Sequence, residues 1–259
     1  MSKIGIQMYT LREFIKDEAG LRDTLQKLAE IGYQSVQITK PSFLTTEQLA
    51  ELLAEYGLEA DSVFCPVTKL EDSLDSISQE TKLLQTNVVR TDSIPPEYRR
   101  SASGYRDFAK LMTRQALLLK ERGLRYLYHF HAFEFISFGE ERGIDILLNE
   151  TDPEIVMFQP DVFWLAAAGV EPSAFLRNFQ GRAFYLHVKD YAIGQLEGSI
   201  ESVPYLFAPV GQGNLNWLGI MRSAREIGIE QFVVEQDYCA GDVFAAVKAS
   251  YDNLKKMLS

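Results

Sequence analysis

The sequence predicts an α/β fold, a (β/α)8 TIM barrel, and three observations carry that prediction. Eight short apolar runs alternate with eight helical segments along the chain. Regular alternation of this kind implies parallel strands joined by helical crossovers. The length, 259 residues, matches the usual size of such a barrel. No glycine-rich phosphate turn follows the first strand, which disfavours the open doubly wound sheet. The chain reads as one domain, 1–259, with no linker, low-complexity tract or sequence repeat beyond the structural one.

Residues 3–8 form strand one, with Tyr9 and Thr10 at its end. A helix over 18–31 carries Leu21, Leu25, Leu28 and Ile31 at helical spacing, and Gly32 stops it. Strand two runs from Tyr33 to Ile38. Thr46 caps a helix that continues through Tyr56, with Gly57 at its C-terminal end. Strand three is Glu59 to Phe64, closed by Cys65 and Pro66, and a helix lies within 70–84. Strand four is Asn87 to Arg90. The longest helix, 103–122, ends at Gly123, and strand five runs from Leu124 to about Phe130. A short helix at 143–150 precedes strand six, from Ile155 into Asp161. Helical turns occupy 162–168 and 172–179, and strand seven is 183–188. A long loop over about 190–213 leads to a helix at 215–227, strand eight at 231–235 and a last helix at 242–257.

Composition narrows the function. Hydrophobic residues make up 46% of the chain, enough for a large core. No apolar run approaches the roughly 20 residues of a membrane span, and no leader pattern opens the chain, so a cytoplasmic location is expected. The net charge of −10 argues against nucleic acid as a partner, because phosphate backbones need a basic surface. Cys65 and Cys239 are too few for a disulfide framework and are read as reduced.

A barrel of this kind places its active site at the C-terminal ends of the strands, so polar residues there are informative. Side chains alternate along a strand, which puts Gln159 with Asp161, Tyr185 with His187 and Lys189, and Val233 with Glu235 and Asp237. His129 and His131 share a face on strand five, with Glu134 in the following loop. All three histidines of the chain thus fall at strand ends. One imidazole with two or three carboxylates suits Mn, Zn, Co or Mg with positions open for substrate. Such a site polarises a carbonyl or hydroxyl while a carboxylate moves a proton.

At these residues the chain resembles a known family. Gly5 to Arg12, Tyr128 to Phe135, Asp161 to Gly169, Leu186 to Asp190, Val210 to Gly213 and Val233 to Asp237 resemble the motifs of the sugar phosphate isomerase/epimerase family, within the xylose isomerase-like TIM barrels. The motifs occur in family order over nearly the whole chain. The resemblance implies one divalent cation held by residues from strands five to eight: Asp161, His187 and Glu235, with Glu134 as the first ligand and His129 as its rival. It implies a sugar, keto-sugar or cyclitol isomerase or epimerase, in which Glu235 and Glu134 move a proton beside a carbonyl. Lys189 and His131 then orient substrate oxygens, and His129, Tyr9 and Trp164 line the site. A small carbohydrate-like molecule is the expected partner, and pairing of copies into a homo-oligomer through helices or loops stays open. The chain departs from the family pattern at Gln37, Cys65, Phe130 and Gln159.

Simpler readings compete with these. His187 can be a buried histidine satisfied by a carbonyl, and Asp161 or Glu235 a helix cap. Lys189 can be a salt bridge to Asp190 or Asp237, and Tyr9 and Trp164 can be core aromatics. The Val210 to Gly213 turn can hold a phosphate, although a lone Gly-x-Gly is weak support. A dehydratase or lyase on a keto-sugar or inosose would use the same site. A degenerate barrel that only binds a carbohydrate is the alternative outside enzymes. A histidine-rich phosphodiesterase centre is disfavoured, because three histidines and an acidic surface suit it poorly.

Overall fold

A computed structural model describes residues 2–194 and 205–259. Thirteen short strands and nine α-helices alternate among them. Strands β1 (Lys3–Gln7) and β2 (Ser35–Gln37) flank helix α1 (Glu18–Ile31), and helix α2 (Thr46–Glu55) leads to β3 (Glu59–Ala60) and β4 (Val63–Phe64). Helix α3 (Leu74–Leu83) precedes β5 (Val88–Asp92), and α4 (Ala102–Lys120) precedes β6 (Arg125–His129). A small hairpin of β7 (Ser137–Phe138) and β8 (Glu141–Arg142) opens onto α5 (Gly143–Glu150) and β9 (Val156–Gln159). Then come α6 (Val162–Ala167), α7 (Pro172–Phe175), β10 (Tyr185–Val188), the strands β11 (Asp190–Ile193) and β12 (Tyr205–Ala208), α8 (Trp217–Glu226), β13 (Gln231–Val234) and α9 (Val243–Leu258).

The parallel strands form two arcs, β10-β13-β1-β2-β3 and β4-β5-β6-β9. The chain itself joins the arcs on one side, where Asp61 and Ser62 separate β3 from β4. A parallel bridge between Asp161 and His187 joins them on the other. The result is the eight-stranded barrel that the alternation predicts, with strand three broken in its middle. The break has a physical cause. Asp61 is buried, and its carboxylate accepts from Ser62 Oγ at 2.9 Å and Gln231 Nε2 at 2.9 Å. Its carbonyl accepts from Thr86 Oγ1 at 3.0 Å and the Tyr185 hydroxyl at 3.1 Å rather than from a neighbouring strand.

Other differences from expectation are local. The helix over 46–55 is capped by Thr45, not Thr46, through a reciprocal bond with Gln48. The expected helix within 70–84 begins as a 3-10 turn, Glu71–Ser73, before α3, and a further turn, Val67–Lys69, precedes it. Strand four extends to Asp92, two residues beyond expectation, because Asp92 stays in register with His129. The expected long loop contains the antiparallel pair β11–β12, and its centre, 195–204, lies outside the described residues.

Asp190 anchors that hairpin. Its carboxylate accepts from the backbone N–H groups of Tyr191, Gly211 and Gly213 at 2.9, 3.0 and 2.9 Å, and from Trp217 Nε1 at 2.6 Å. A side chain at position 213 would strike this carboxylate, and Gly211 holds a positive φ of 81°. The glycine-rich turn therefore spends its N–H groups on Asp190, which accounts for the spacing without a phosphate. Phe130 faces away from the barrel axis and stacks on Phe179 at 5.5 Å. No helix among the described residues is long and apolar enough to cross a membrane.

Burial pushes the Asp61 carboxyl up to about 7, despite the Ser62 bond and the charge of Arg90. The folded chain then holds a proton that the unfolded chain releases near pH 4. Stability from this group is full below that point and is lost as pH rises towards 7. Asp61→Asn cannot titrate. Urea unfolding of both proteins at pH 5.5 and pH 8 should therefore show the variant gaining about 2 kcal/mol relative to the parent over that interval. An unchanged difference would mean that Asp61 is ionised throughout.

Candidate metal centre

The strand ends converge as alternation requires. His129 ends β6, Asp161 follows β9, His187 lies in β10 and Glu235 follows β13. One ligand-capable atom from each, two imidazole nitrogens and two carboxylate oxygens, lies within 4.8 Å of the others, and all four residues are buried. His187 Nδ1 is 3.1 Å from Glu235 Oε2 and 3.7 Å from Asp161 Oδ2, and His129 Nε2 is 3.6 Å from the same Asp161 oxygen. None of the four atoms has a hydrogen bond of good geometry, although the Lys189 ammonium forms an ion pair with Glu235 Oε2 at 2.9 Å. Buried polar atoms without hydrogen bonds are costly and uncommon, so their convergence at one point fits a divalent cation. The donor set suits zinc, and manganese, cobalt or magnesium with added oxygen ligands.

The remaining atoms of these side chains are committed elsewhere, which orients the free ones. Asp161 Oδ1 caps α6, accepting from the N–H groups of Phe163 at 2.8 Å and Trp164 at 3.1 Å. The cap and ligand readings of Asp161 are thus compatible, one oxygen serving each. His187 Nε2 donates to Gln37 Oε1 at 2.8 Å. Gln37 is held in turn by Gln7 and Gln159, each at 3.3 Å. This polar chain orients the His187 ring with Nδ1 turned to the centre, where Glu235 and Asp161 outweigh burial and raise its pKa, so a cation bound there would displace a proton.

Lys189 brings a positive charge into the same place. Its ammonium is 2.9 Å from Glu235 Oε2 and 3.6 Å from Asp161 Oδ2, and it donates to both oxygens of Asp237 at 3.0 and 3.1 Å. Burial works against its charge, but these carboxylates outweigh burial and hold it protonated. Burial likewise opposes charge on Asp161 and Glu235, yet Lys189 and the imidazoles hold both well below the usual carboxylate range. Burial and the neighbouring His187 keep His129 neutral, the form a metal needs.

Glu134 is not brought into this group. Residues 133–135 form a 3-10 turn that folds its carboxylate back onto the Tyr128 hydroxyl and the His131 backbone N–H, the latter at 3.0 Å. It is completely buried there, and burial raises its carboxyl. His129, the alternative first ligand, stands in the group instead. His131, Trp164 and Lys189 line a cavity of about 380 Å³ above the centre, with Tyr9 half-exposed at its lining. The same cavity is lined by Gln7, Thr39, Phe64, Arg90, Asp92 and Asp237. Neither Arg90 nor Asp92 is among the residues expected from the sequence: Arg90 ends the expected strand four without belonging to a recognised motif, and Asp92 lies two residues beyond that strand's expected end. Two more residues of alternation would have placed Asp92 beside His129.

Elemental analysis of protein purified without chelators should find close to one equivalent of divalent metal. His129→Ala should bind it at least about tenfold more weakly. Glu134→Gln should keep the stoichiometry and lose about 2 kcal/mol of stability in urea, because a buried acceptor changes into a donor. The reverse pattern would restore Glu134 as the ligand.

A sequence model of the xylose isomerase-like TIM barrel family matches residues 25–257. An inosose dehydratase of Geobacillus kaustophilus is 22% identical, covering 90% of this chain and 86% of its own. A crystal structure of a sugar phosphate isomerase/epimerase from Parabacteroides distasonis superposes with a TM-score of 0.81 at 22% identity, over 98% of this chain and 93% of that one. The IOLI protein, solved with a bound zinc atom, gives a TM-score of 0.76 at 14% identity over 99% and 98%. At these identities the structural likenesses speak for the fold. The family match over 25–257, on a barrel whose strand ends converge as described, makes the chain a member of the xylose isomerase-like TIM barrel family.

Proposed function

We propose that the protein is a divalent-metal-dependent enzyme that moves a proton on the carbon beside the carbonyl of a carbohydrate-like molecule, as an isomerase or epimerase. The observation that carries this reading is the convergence of one ligand-capable atom each from buried His129, Asp161, His187 and Glu235 on one point. The likeness to an isomerase/epimerase structure, to an inosose dehydratase and to a zinc-bound relative supports an enzyme with a metal centre.

A bound divalent ion would polarise a carbonyl or hydroxyl oxygen of the substrate. Glu235 supplies the carboxylate that takes the proton. It is ionised, lines the cavity and lies beside the charged Lys189. Lys189, held protonated, orients a substrate oxygen and stabilises negative charge developing on it, and Asp237 keeps its ammonium in place. His131 faces the cavity, with Ser93 Oγ 3.3 Å from its Nδ1 and Glu134 holding its backbone, and offers Nε2 to a substrate hydroxyl. Tyr9 and Trp164 supply aromatic walls. Glu134 takes a supporting role in this scheme.

A second reading is dehydration. The likeness to the dehydratase across 90% of the chain favours it. The first step, proton removal beside a carbonyl, is common to both readings.

Incubation of the metal-loaded protein with ketoses and inososes in deuterium oxide separates them. Deuterium on the carbon beside the carbonyl of an intact sugar is expected for the isomerase, and a product one water lighter for the dehydratase. Glu235→Gln should slow either by at least about 100-fold. Failure of every carbonyl compound to exchange or dehydrate would leave a barrel that binds without turnover.

A further inference from the structure

The cavity has two halves. The metal-binding atoms come from β6 to β13, while Phe64, Arg90 and Asp92 line the side formed by β4 and β5. Arg90 and Asp92 lie two residues apart on β5 and so share a face, and Asp92 sits in register beside His129. Arg90 is buried, with its guanidinium over the Phe64 ring at 5.0 Å. Its Nη1 donates to Asp92 Oδ2 at 2.6 Å, and its Nε is buried with no partner. Trp164 Nε1, on the opposite wall, is a second buried donor without a partner.

Charge decides what such a cavity accepts. Arg90 and Lys189 are the cations lining it, and each already faces carboxylates, Arg90 that of Asp92 and Lys189 those of Asp237 and Glu235. With Asp161 beneath, two cations face four carboxylates, and one divalent ion restores neutrality. The nearby Lys40 donates instead to the carbonyl of Leu44 at 3.1 Å. The glycine-rich turn has given its N–H groups to Asp190. Residues 195–204 contain no lysine, arginine or histidine that would add a positive charge. A phosphate dianion would meet Asp92 and Asp237, and among the described residues that line the cavity neither cation is without a carboxylate partner. A carboxylate beside a guanidinium offers an acceptor next to donors, which matches two adjacent hydroxyl groups on a sugar or cyclitol.

We propose that the site takes an uncharged polyhydroxylated carbonyl compound, gripped through adjacent hydroxyls by the Arg90–Asp92 pair, and that it rejects phosphate esters. This inference rests on the metal-dependent reading above for the other end of the substrate. One hydroxyl donates to Asp92, its neighbour accepts from Arg90, and the carbonyl end lies towards Glu235 and Lys189.

The test uses the whole chain loaded with one equivalent of manganese or zinc, checked by elemental analysis. Binding of D-fructose, D-fructose 6-phosphate, scyllo-inosose and myo-inositol is measured by calorimetric titration. At least one neutral compound should bind, and fructose 6-phosphate should bind at least tenfold more weakly than it. Arg90→Met should weaken the neutral ligand at least tenfold with metal content unchanged. Asp92→Asn, which keeps the shape and frees the Arg90 charge, should narrow or reverse the preference against the phosphate. A purely structural role would not produce that reversal. Tighter binding of fructose 6-phosphate by the parent, or binding of no neutral compound, overturns the proposal. A preference unchanged in both variants overturns it as well. The two readings fail separately. Absence of metal uptake defeats the metal-dependent function, whereas normal metal uptake and deuterium exchange with a preference for the phosphate ester defeats only this inference.

Discussion

Buried charge is the constraint on which the rest of this structure depends. Two carboxylates and two imidazoles meet, buried, at the barrel mouth, and their facing atoms lack hydrogen bonds of good geometry. Such a cluster is costly unless a cation occupies it, and removing any one partner leaves the others exposed to that cost. The surrounding groups reduce the penalty in identifiable ways. Asp161 spends its second oxygen on the α6 N-terminus, and His187 spends its second nitrogen on Gln37. Lys189 places a permanent positive charge against Glu235 and Asp161 and is itself secured by Asp237.

The orientation of these groups comes from backbone geometry that has little to do with metal. Parallel pairing sets Asp92, His129 and Gln159 side by side, and the bridge between Asp161 and His187 closes the barrel where two candidate ligands meet. Closure and centre are therefore one feature. A change that loosened the Asp161–His187 contact would disturb both.

Much of this was legible in the sequence. Alternating apolar runs and helical periods gave the barrel, because parallel strands and crossover helices leave strong periodic traces. Asp161, His187 and Glu235 were legible because each stands two residues beyond an inward-facing position. Glu134 and His129 were not separable, since the choice depends on a 3-10 turn whose hydrogen bonds to Tyr128 and His131 leave no periodic signal. The break at Asp61 and the anchor at Asp190 were hidden for a related reason. Each works through contacts to residues distant in sequence, such as Gln231 and Trp217. Asp92 lay two residues past the expected end of strand four, and Arg90, at that end, belonged to no motif that marked it.

The division of the cavity has an evolutionary consequence. The candidate ligand atoms come from β6 and from the ends of β9, β10 and β13, and Asp92 adjoins them only through its pairing with His129. Residues of β4 and β5 contribute no atom to that group of four, so they can drift without removing any of its members. A barrel built this way can change what one side of its cavity accepts by inheritance of one half and revision of the other.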